Sequence, residues 1–283
     1  MPEPLLIRAL RLEPGRRTYV MGIVNMTPDS FSGDGLLDAR APVEAALTQA
    51  ERMVAEGADI IDVGGESTRP GHRPVEVARE LERVVAVVAA VRARFAGVPI
   101  SIDTSKPAVA EAALDAGADV VNDVTGVTAG AALAPIAAAC GAPYIIMHSR
   151  DVPEYEDVVA ETLADLRHAL ELAEAHGCRP TSLIVDPGIG FGKTAEQNLA
   201  LLRDLAALRV LDRPMVLGTS RKSTIGKVLG LPVDERLEGT LATTALGIAA
   251  GVDIVRVHDV AANVRAARMA DAIIRGGWTE SGS

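Results

Sequence analysis

Short apolar runs rich in β-branched residues alternate with longer stretches of helical composition along the chain. Eight of these runs have the length and composition of buried parallel strands, which we predict at 19–25, 59–65, 100–104, 120–124, 143–148, 183–187, 215–220 and 254–259. Between them we predict helices that include 42–56, 75–95, 106–116, 155–176, 194–208 and 260–275. Eight strand–helix units with short connections predict a closed (β/α)8 TIM barrel of the α/β class.

The junctions between these elements support the same arrangement. A glycine that ends a predicted helix leads directly into the next strand at Gly57, Gly117 and Gly251, as is typical of helix C-caps. An open, doubly wound sheet is the alternative, but it would usually have fewer strands and a phosphate-binding fingerprint in its first turn. We therefore expect a single domain over 1–283, with the barrel core at about 19–275.

Composition narrows the possible partners. The chain has 283 residues and a formal net charge of −10, with no basic run, which argues against a nucleic-acid partner. No stretch reaches about 18 uncharged apolar residues and the N-terminal residues lack a signal-peptide pattern, so we expect a cytoplasmic protein with no membrane partner. The two cysteines, Cys140 and Cys178, have no metal-ligand spacing, and we interpret them as reduced packing residues.

Polar residues collect where the predicted strands end, which is the end of a TIM barrel that carries active sites. A single aspartate in such a place is often only a helix N-cap, but polar residues at all eight strand ends favour a shared ligand. Asp103 and Asp186 follow hydrophobic strand residues, so their carboxylates should lie partly inside the barrel mouth. A buried charge is costly unless it meets hydrogen-bond donors, and a ligand with several N–H groups would supply them.

Cationic residues lie in the segments that follow three of the strands. They are Arg69, the pair Arg221 and Lys222, and Arg256 with His258. Because each lies beyond a strand end rather than on a polar helix face, we expect a shared anionic ligand that carries a phosphate or carboxylate.

The Gly-rich run 188–194 is not a P-loop, because Pro187 stands where the first P-loop glycine is needed. The histidines have no zinc-ligand spacing. A Mg²⁺ ion remains possible, since it needs only one or two protein oxygens together with substrate phosphates.

Two long segments, 21–32 and 61–71, resemble the signatures of the dihydropteroate synthase family. They read Met-Gly-Ile-Val-Asn-Met-Thr-Pro-Asp-Ser-Phe-Ser and Ile-Asp-Val-Gly-Gly-Glu-Ser-Thr-Arg-Pro-Gly. Shorter matching segments follow in the family's order, at 101–104, 122–123, 186–194, 220–223 and 256–259. The resemblance implies an enzyme that joins 7,8-dihydropterin-6-ylmethyl diphosphate to p-aminobenzoate with Mg²⁺ present, releases pyrophosphate and is a sulfonamide target.

The resemblance also implies a role for particular residues. Four would bind the pterin: Asp103, Asn122, Asp186 and Lys222. Of these, Asp103, Asp186 and Lys222 would also be catalytic. Five would bind the diphosphate: Asn25, which would also hold the Mg²⁺, Thr68, Arg69, Arg256 and His258. Three would shape the p-aminobenzoate pocket: Pro70, Phe191 and Ser223.

No Ser-His-Asp or Cys-His nucleophile is evident, and the family reaction needs none, because the substrate's aromatic amine is the attacking group. In the mechanism that the resemblance implies, pyrophosphate leaves first, and Asp103 and Asp186 stabilise the pterin-methyl cation. The family usually forms homodimers, for which the Ala-rich helices at 236–250 and 260–275 could provide the contact. After His148 the family often has a Gly-containing loop, whereas this chain has Ser-Arg-Asp at 149–151.

Two other functions remain open. Pterin-dependent methyltransferases have a similar barrel and similar pterin-binding Asp and Asn positions, but they bind no diphosphate and would leave the cationic segments unexplained. A pterin-binding paralogue without activity would have lost ligand positions, and none is lost here.

Overall fold

The computed structural model describes residues 2–27, 36–37, 41–66 and 75–276. An N-terminal hairpin precedes the barrel strands, in the order β1 (Leu5–Ile7), β2 (Leu10–Leu12), β3 (Tyr19–Asn25), β4 (Ile60–Gly64), β5 (Ile100–Asp103), β6 (Val120–Asp123), β7 (Tyr144–Met147), β8 (Leu183–Asp186), β9 (Val216–Leu217) and β10 (Ile254–Val257). The helices are α1 (Pro42–Ala55), α2 (Val77–Arg94), α3 (Pro107–Asp115), α4 (Ala134–Cys140), α5 (Val158–Ala175), α6 (Ala195–Arg203), α7 (Ser223–Leu229), α8 (Leu237–Ala250) and α9 (Val260–Ile274).

The eight strands β3 to β10 form one parallel sheet in the spatial order β8-β7-β6-β5-β4-β3-β10-β9. A parallel bridge between Val185 on β8 and Met215 just before β9 closes the sheet on itself. The predicted TIM barrel is therefore confirmed. The glycines predicted as helix C-caps, Gly57, Gly117 and Gly251, all have positive φ, between 101° and 112°, as a left-handed cap requires.

Several element bounds differ from the prediction. The segment predicted as one helix at 194–208 is divided into α6 and a 3-10 helix, Leu205–Leu211. The strand predicted at 215–220 is only two residues long, because the chain turns into the mouth after Leu217. The three-residue strands of the β1–β2 hairpin were too short to show an alternating pattern, and the sequence did not predict them.

Two apolar layers hold the barrel together. The larger lies between the strands and the surrounding helices, as expected when crossover helices cover a parallel sheet. The smaller lies inside the barrel at its N-terminal end, which we call the floor, where Leu5, Ile7 and Leu12 of the hairpin pack against inward side chains such as Tyr19 and Ile254. Each such side chain stabilises the fold by roughly 1.5–3 kcal/mol.

The interpretation of the cysteines holds for one residue and is wrong for the other. Cys178 is buried and donates a hydrogen bond to the Ala134 carbonyl, 3.3 Å away. Cys140 is exposed, because it lies on the solvent side of the last turn of α4. In the described ranges, no helix combines the length and apolar character needed to cross a membrane.

Candidate active site

The strand register brings polar side chains together at the C-terminal end of the barrel, which we call the mouth. Asn25 at the end of β3 is level with Gly64, Gly64 with Asp103, and Asp103 with Asn122. Asp186 ends β8 on the other side of the opening. Asp103, Asn122 and Asp186 are all buried, so the structure places the carboxylates and the amide predicted for the pterin around one opening.

Arg256 on β10 is held between two carboxylates. Its Nε and Nη2 donate to Asp62 Oδ2, at 2.7 and 2.6 Å, and its Nη2 also donates to Asp103 Oδ2 at 2.5 Å. Asn122 Nδ2 approaches Asp62 at 3.4 Å. The two carboxylates raise the pKa of Arg256, so the guanidinium stays charged despite its burial.

The sequence analysis gave no role to Asp62, which lies within the segment 61–71. The side chain is completely buried and orients both Arg256 and Asn122. The available signal was its position between Ile61 and Val63, since a charge inside an apolar strand must find a partner.

Asp103 has an incomplete set of partners. Its Oδ2 accepts from Arg256, but among the described residues its buried Oδ1 has no hydrogen-bond partner. Burial raises the pKa of Asp103 to about 7, against the lowering effect of Arg256. A ligand N–H that reached this oxygen would replace the missing hydrogen bond and favour the ionised form.

Asp186 and Lys222 face each other across the mouth. Asp186 Oδ1 accepts from the Gly188 amide at 2.7 Å, and burial raises the pKa of its carboxyl. Lys222 Nζ donates to the Ile189 carbonyl at 2.5 Å, and burial lowers the pKa of Lys222 to about 8. A Cβ on Gly218 would lie 3.9 Å from Lys222 Nζ and 4.0 Å from Asp186 Oδ2, so the missing side chain leaves the space between them open.

Phe191 lies beside Lys222, whose Nζ is 4.5 Å from the centre of the ring. Ser223 is exposed at the first turn of α7. Of the residues predicted for the p-aminobenzoate pocket, Phe191 therefore contacts Lys222 and Ser223 follows it in the chain. The third, Pro70, is outside the described residues, as are Thr68 and Arg69.

The residues predicted for the diphosphate are in different surroundings. His258 Nδ1 lies 2.9 Å from Ser220 Oγ, which also accepts a hydrogen bond from the His258 amide. Arg221, one of the cations noted in the sequence, pairs with Asp259 at 2.6 Å. Arg256 faces the carboxylates of Asp62 and Asp103 on the side of the mouth predicted for the pterin.

The oxygen ligands at the mouth are few but of the kind that suits Mg²⁺. The described residues contain no cluster of three or more His, Cys, Asp or Glu side chains that could hold a metal. Asn25 is half-buried at the end of β3, and its amide oxygen is a hard ligand of the kind Mg²⁺ prefers. One such oxygen fits an ion whose other ligands are substrate phosphates and water.

A second polar cluster, which the sequence analysis did not single out, lies behind the mouth. Lys106 pairs with Glu66 and with the completely buried Glu80, which also accepts from Thr104 Oγ1 at 2.7 Å. The other Glu66 carboxylate oxygen accepts from the Val75 amide at 2.9 Å. Glu66 therefore joins the two described ends of the chain on either side of 67–74, the segment that contains three of the predicted site residues.

Known proteins are similar to this chain in both fold and sequence. The family model described as pterin binding enzyme matches residues 21–258. The dihydropteroate synthase of Clostridium beijerinckii is 48% identical over 262 residues, which cover 92% of this chain and 96% of that protein. The Clostridium difficile dihydropteroate synthase structure, in the presence of pteroic acid, superposes with a TM-score of 0.86 at 45% identity and covers 93% of this chain and 99% of that one. The Yersinia pestis dihydropteroate synthase, in a sulfonamide drug complex, gives 0.89 at 38% identity, with 96% and 98% covered.

Proposed function

We propose that this chain joins 7,8-dihydropterin-6-ylmethyl diphosphate to p-aminobenzoate and releases pyrophosphate, because it belongs to the dihydropteroate synthase family of pterin-binding enzymes. The observation that carries the proposal is the buried carboxylate of Asp103, with one oxygen held by Arg256 and the other without a partner among the described residues. Such an oxygen is costly to bury alone, and an N–H group of a pterin would satisfy it.

The other groups at the mouth complement a flat ring with several donors and acceptors. Asn122 offers an amide beside Asp103, and Asp186 offers a carboxylate from the opposite side. Lys222 can donate to a ring oxygen or nitrogen from a position already fixed by Ile189 and Phe191. Burial strengthens each of these interactions, since little water competes for them.

The same carboxylates suit the chemical step. When the C–O bond to the diphosphate breaks, positive charge develops on the pterin-methyl group and spreads into the ring. Asp103 and Asp186 are held in place before that charge appears, so they stabilise the cation without reorganising. The amine of p-aminobenzoate then attacks the methyl carbon and loses its proton, and the chain needs no nucleophile of its own.

We propose that Asn25 holds Mg²⁺ together with the substrate's diphosphate oxygens. The ion would neutralise charge on the departing pyrophosphate. His258 and Arg256, with Thr68 and Arg69, would bind the same group. Support for this part of the proposal is the hard oxygen ligand of Asn25 at the end of β3 and the position of His258 directly after the neighbouring strand β10.

The p-aminobenzoate pocket would lie next to Lys222, bounded by Phe191, Ser223 and Pro70. The chain has seven aromatic residues in total, Trp 1, Tyr 3 and Phe 3, so an aromatic ring beside Lys222 is conspicuous. We propose that sulfonamides, whose ring resembles that of p-aminobenzoate, compete for this pocket.

The test is pyrophosphate release by the purified protein given the pterin diphosphate, with and without p-aminobenzoate and Mg²⁺. We expect release that requires both and that falls sharply in Asp103→Asn and Lys222→Ala. Glu111→Gln, at an exposed position on α3, is the control and should match the wild type.

Absence of release by a wild type that still binds pterin would overturn the proposal. Methyl transfer from a methylated pterin would then point to the methyltransferase alternative, and absence of both activities to a paralogue without activity.

We further propose a homodimer formed through α8 and α9. Leu246, Met269 and Ile273 on these helices are large apolar side chains with 70%, 63% and 67% of their surface exposed, and a second copy packed on them would remove this apolar surface from water. Sedimentation should give a dimer for the wild type and a monomer for Leu246→Asp combined with Ile273→Asp. We also propose a cytoplasmic location, which cell fractionation would test.

A further inference from the structure

The turn that connects β8 to α6, residues 187–194, contains the Gly-rich run that is not a P-loop. Gly188, Gly190 and Gly192 all have positive φ, between 58° and 87°. A Cβ on Gly188 would lie 1.7 Å from the His148 carbonyl oxygen, and one on Gly192 would lie 2.0 Å from the Arg150 carbonyl oxygen. The glycines therefore let this turn pack, backbone against backbone, on the segment that follows β7.

Lys193, in the same run, ties the turn together from within. Its Nζ donates to the carbonyl oxygens of Gly188 at 3.0 Å and Phe191 at 3.1 Å, and lies 2.8 Å from His148 Nδ1. Burial lowers the pKa of Lys193 to about 7, and in the ammonium form its three N–H donors match these three acceptors. The side chain thus joins Gly188 and Phe191 to His148, the residue directly after β7.

His148 is in turn fixed from behind. It is completely buried, and its Nε2 lies 3.1 Å from Asp165 Oδ2, which also accepts two hydrogen bonds from Arg150. Because Nδ1 faces the Lys193 ammonium, it must accept, so Nε2 carries the proton and donates to Asp165. Burial and the Lys193 charge lower the pKa of His148 to about 4, in agreement with this neutral tautomer.

The turn held by Lys193 positions three groups of the proposed site. The Gly188 amide donates to Asp186, the Ile189 carbonyl accepts from Lys222, and the Phe191 ring packs against the Lys222 ammonium. In the hydrogen bonds described, Lys193 donates to no side-chain atom of Asp186, Lys222 or Phe191, so it fixes their positions through the backbone of the turn. Its charge also acts directly on Asp186, where it lowers the pKa against the effect of burial.

We propose that Lys193, held by His148, is a positioning residue of the synthase reaction, which fixes the 188–191 turn so that Asp186 and Lys222 meet the pterin and Phe191 meets p-aminobenzoate. This inference rests on the proposed function. Within 186–194 the family resemblance implies roles only for Asp186 and Phe191, so Lys193 would be a further functional residue of this segment.

The test compares Lys193→Met, which keeps the aliphatic stem and removes every donor, with Lys193→Arg, which keeps charge and donors. Lys227→Met, at an exposed position on α7, is the matched control. We expect Lys193→Met to raise the KM for p-aminobenzoate and the Kd for the pterin diphosphate by about tenfold or more. Lys193→Arg should recover part of both, and Lys227→Met should equal the wild type.

Circular dichroism and thermal unfolding separate this role from a purely structural one. Lys193→Met that unfolds at a lower temperature but has wild-type KM and kcat when folded would overturn the proposal, as would equal kinetics in the Met and Arg variants. If Lys193→Met does not fold, Lys193→Gln, which retains two donors for the carbonyls, takes its place with the same expected direction. Failure of the proposed function would be visible separately, as absence of pyrophosphate release by the wild type.

Discussion

The floor and the mouth of the barrel are built from the same strands but have opposite chemistry. On β6, Val120 belongs to the apolar floor while Asn122, two residues later, lines the mouth. On β10, Ile254 and Arg256 have the same relationship. Since alternate residues of a strand face the same side, a four-residue strand can supply one group for stability and one for ligand binding. The floor therefore stabilises the fold, while the mouth costs stability through its buried charges.

Asp186→Asn should have the largest effect on activity and little effect on the fold. We expect kcat/KM to fall about 10²- to 10³-fold, because a preorganised charge facing the developing cation is lost. The unfolding temperature should stay the same or rise, since a neutral amide is cheaper to bury than a carboxylate. Steady-state kinetics and thermal unfolding check both, with Asp115→Asn at an exposed position as the control. A large loss of stability would show that the mouth also supports the fold.

Leu12→Ala at the floor should have the reverse effect. Leu12 is completely buried in the hairpin that closes the barrel, and we expect a loss of about 3 kcal/mol in the free energy of unfolding, from the cavity left behind. Urea denaturation measures this loss, and KM should not change at a temperature where both proteins are folded. Leu6→Ala in the same hairpin, where the side chain is exposed, is the matched control. A changed KM in Leu12→Ala would mean that floor and mouth are not independent.

His148, which follows β7 at the mouth end of the barrel, should make the stability of the fold depend on pH. The pKa of His148 is lowered to about 4, below its unfolded value of about 6.5, so the neutral histidine stabilises the fold above pH 6.5 and this contribution is lost as the pH falls towards 4. We expect the stability difference between wild type and His148→Asn to shrink by about 2 kcal/mol from pH 7.5 to pH 4.5. Urea denaturation at several pH values measures it, with His168→Asn on the exposed face of α5 as control. A difference independent of pH would contradict the neutral state of His148.

Gly218→Ala should have the smallest effect. The added methyl group would make only ordinary contacts, 3.9 to 4.0 Å from its nearest neighbours, so the fold should tolerate it. It would nevertheless occupy space between Lys222 and Asp186, and we expect the KM for the pterin substrate to rise by up to about tenfold. Kinetics on this variant and on Gly97→Ala, in an exposed turn, compare a methyl group inside the mouth with one outside it. Unchanged KM would place the substrate away from Gly218.

The repeated pattern of the chain was sufficient to predict the barrel, since eight apolar runs and their glycine caps are local features. It was not sufficient for the β1–β2 hairpin, whose three-residue strands depend on the barrel floor they pack against. At the mouth, residue types predicted which polar groups would gather. The Arg256 bridge between Asp62 and Asp103 and the Lys193 hydrogen bonds could not be predicted, because they join residues distant in the chain and depend on side-chain directions.

The seam between β8 and β9 has a consequence for the timing of ligand exchange. β9 is two residues long and meets β8 at the bridge between Val185 and Met215, so this part of the ladder should open more readily than its neighbours. Asp186 follows Val185 directly, and Gly218 follows the last residue of β9. A bound pterin that contacts Asp186 and Gly218 would connect β8 and β9. Pterin binding should therefore slow amide hydrogen exchange in these two strands and leave exchange at the floor unaffected.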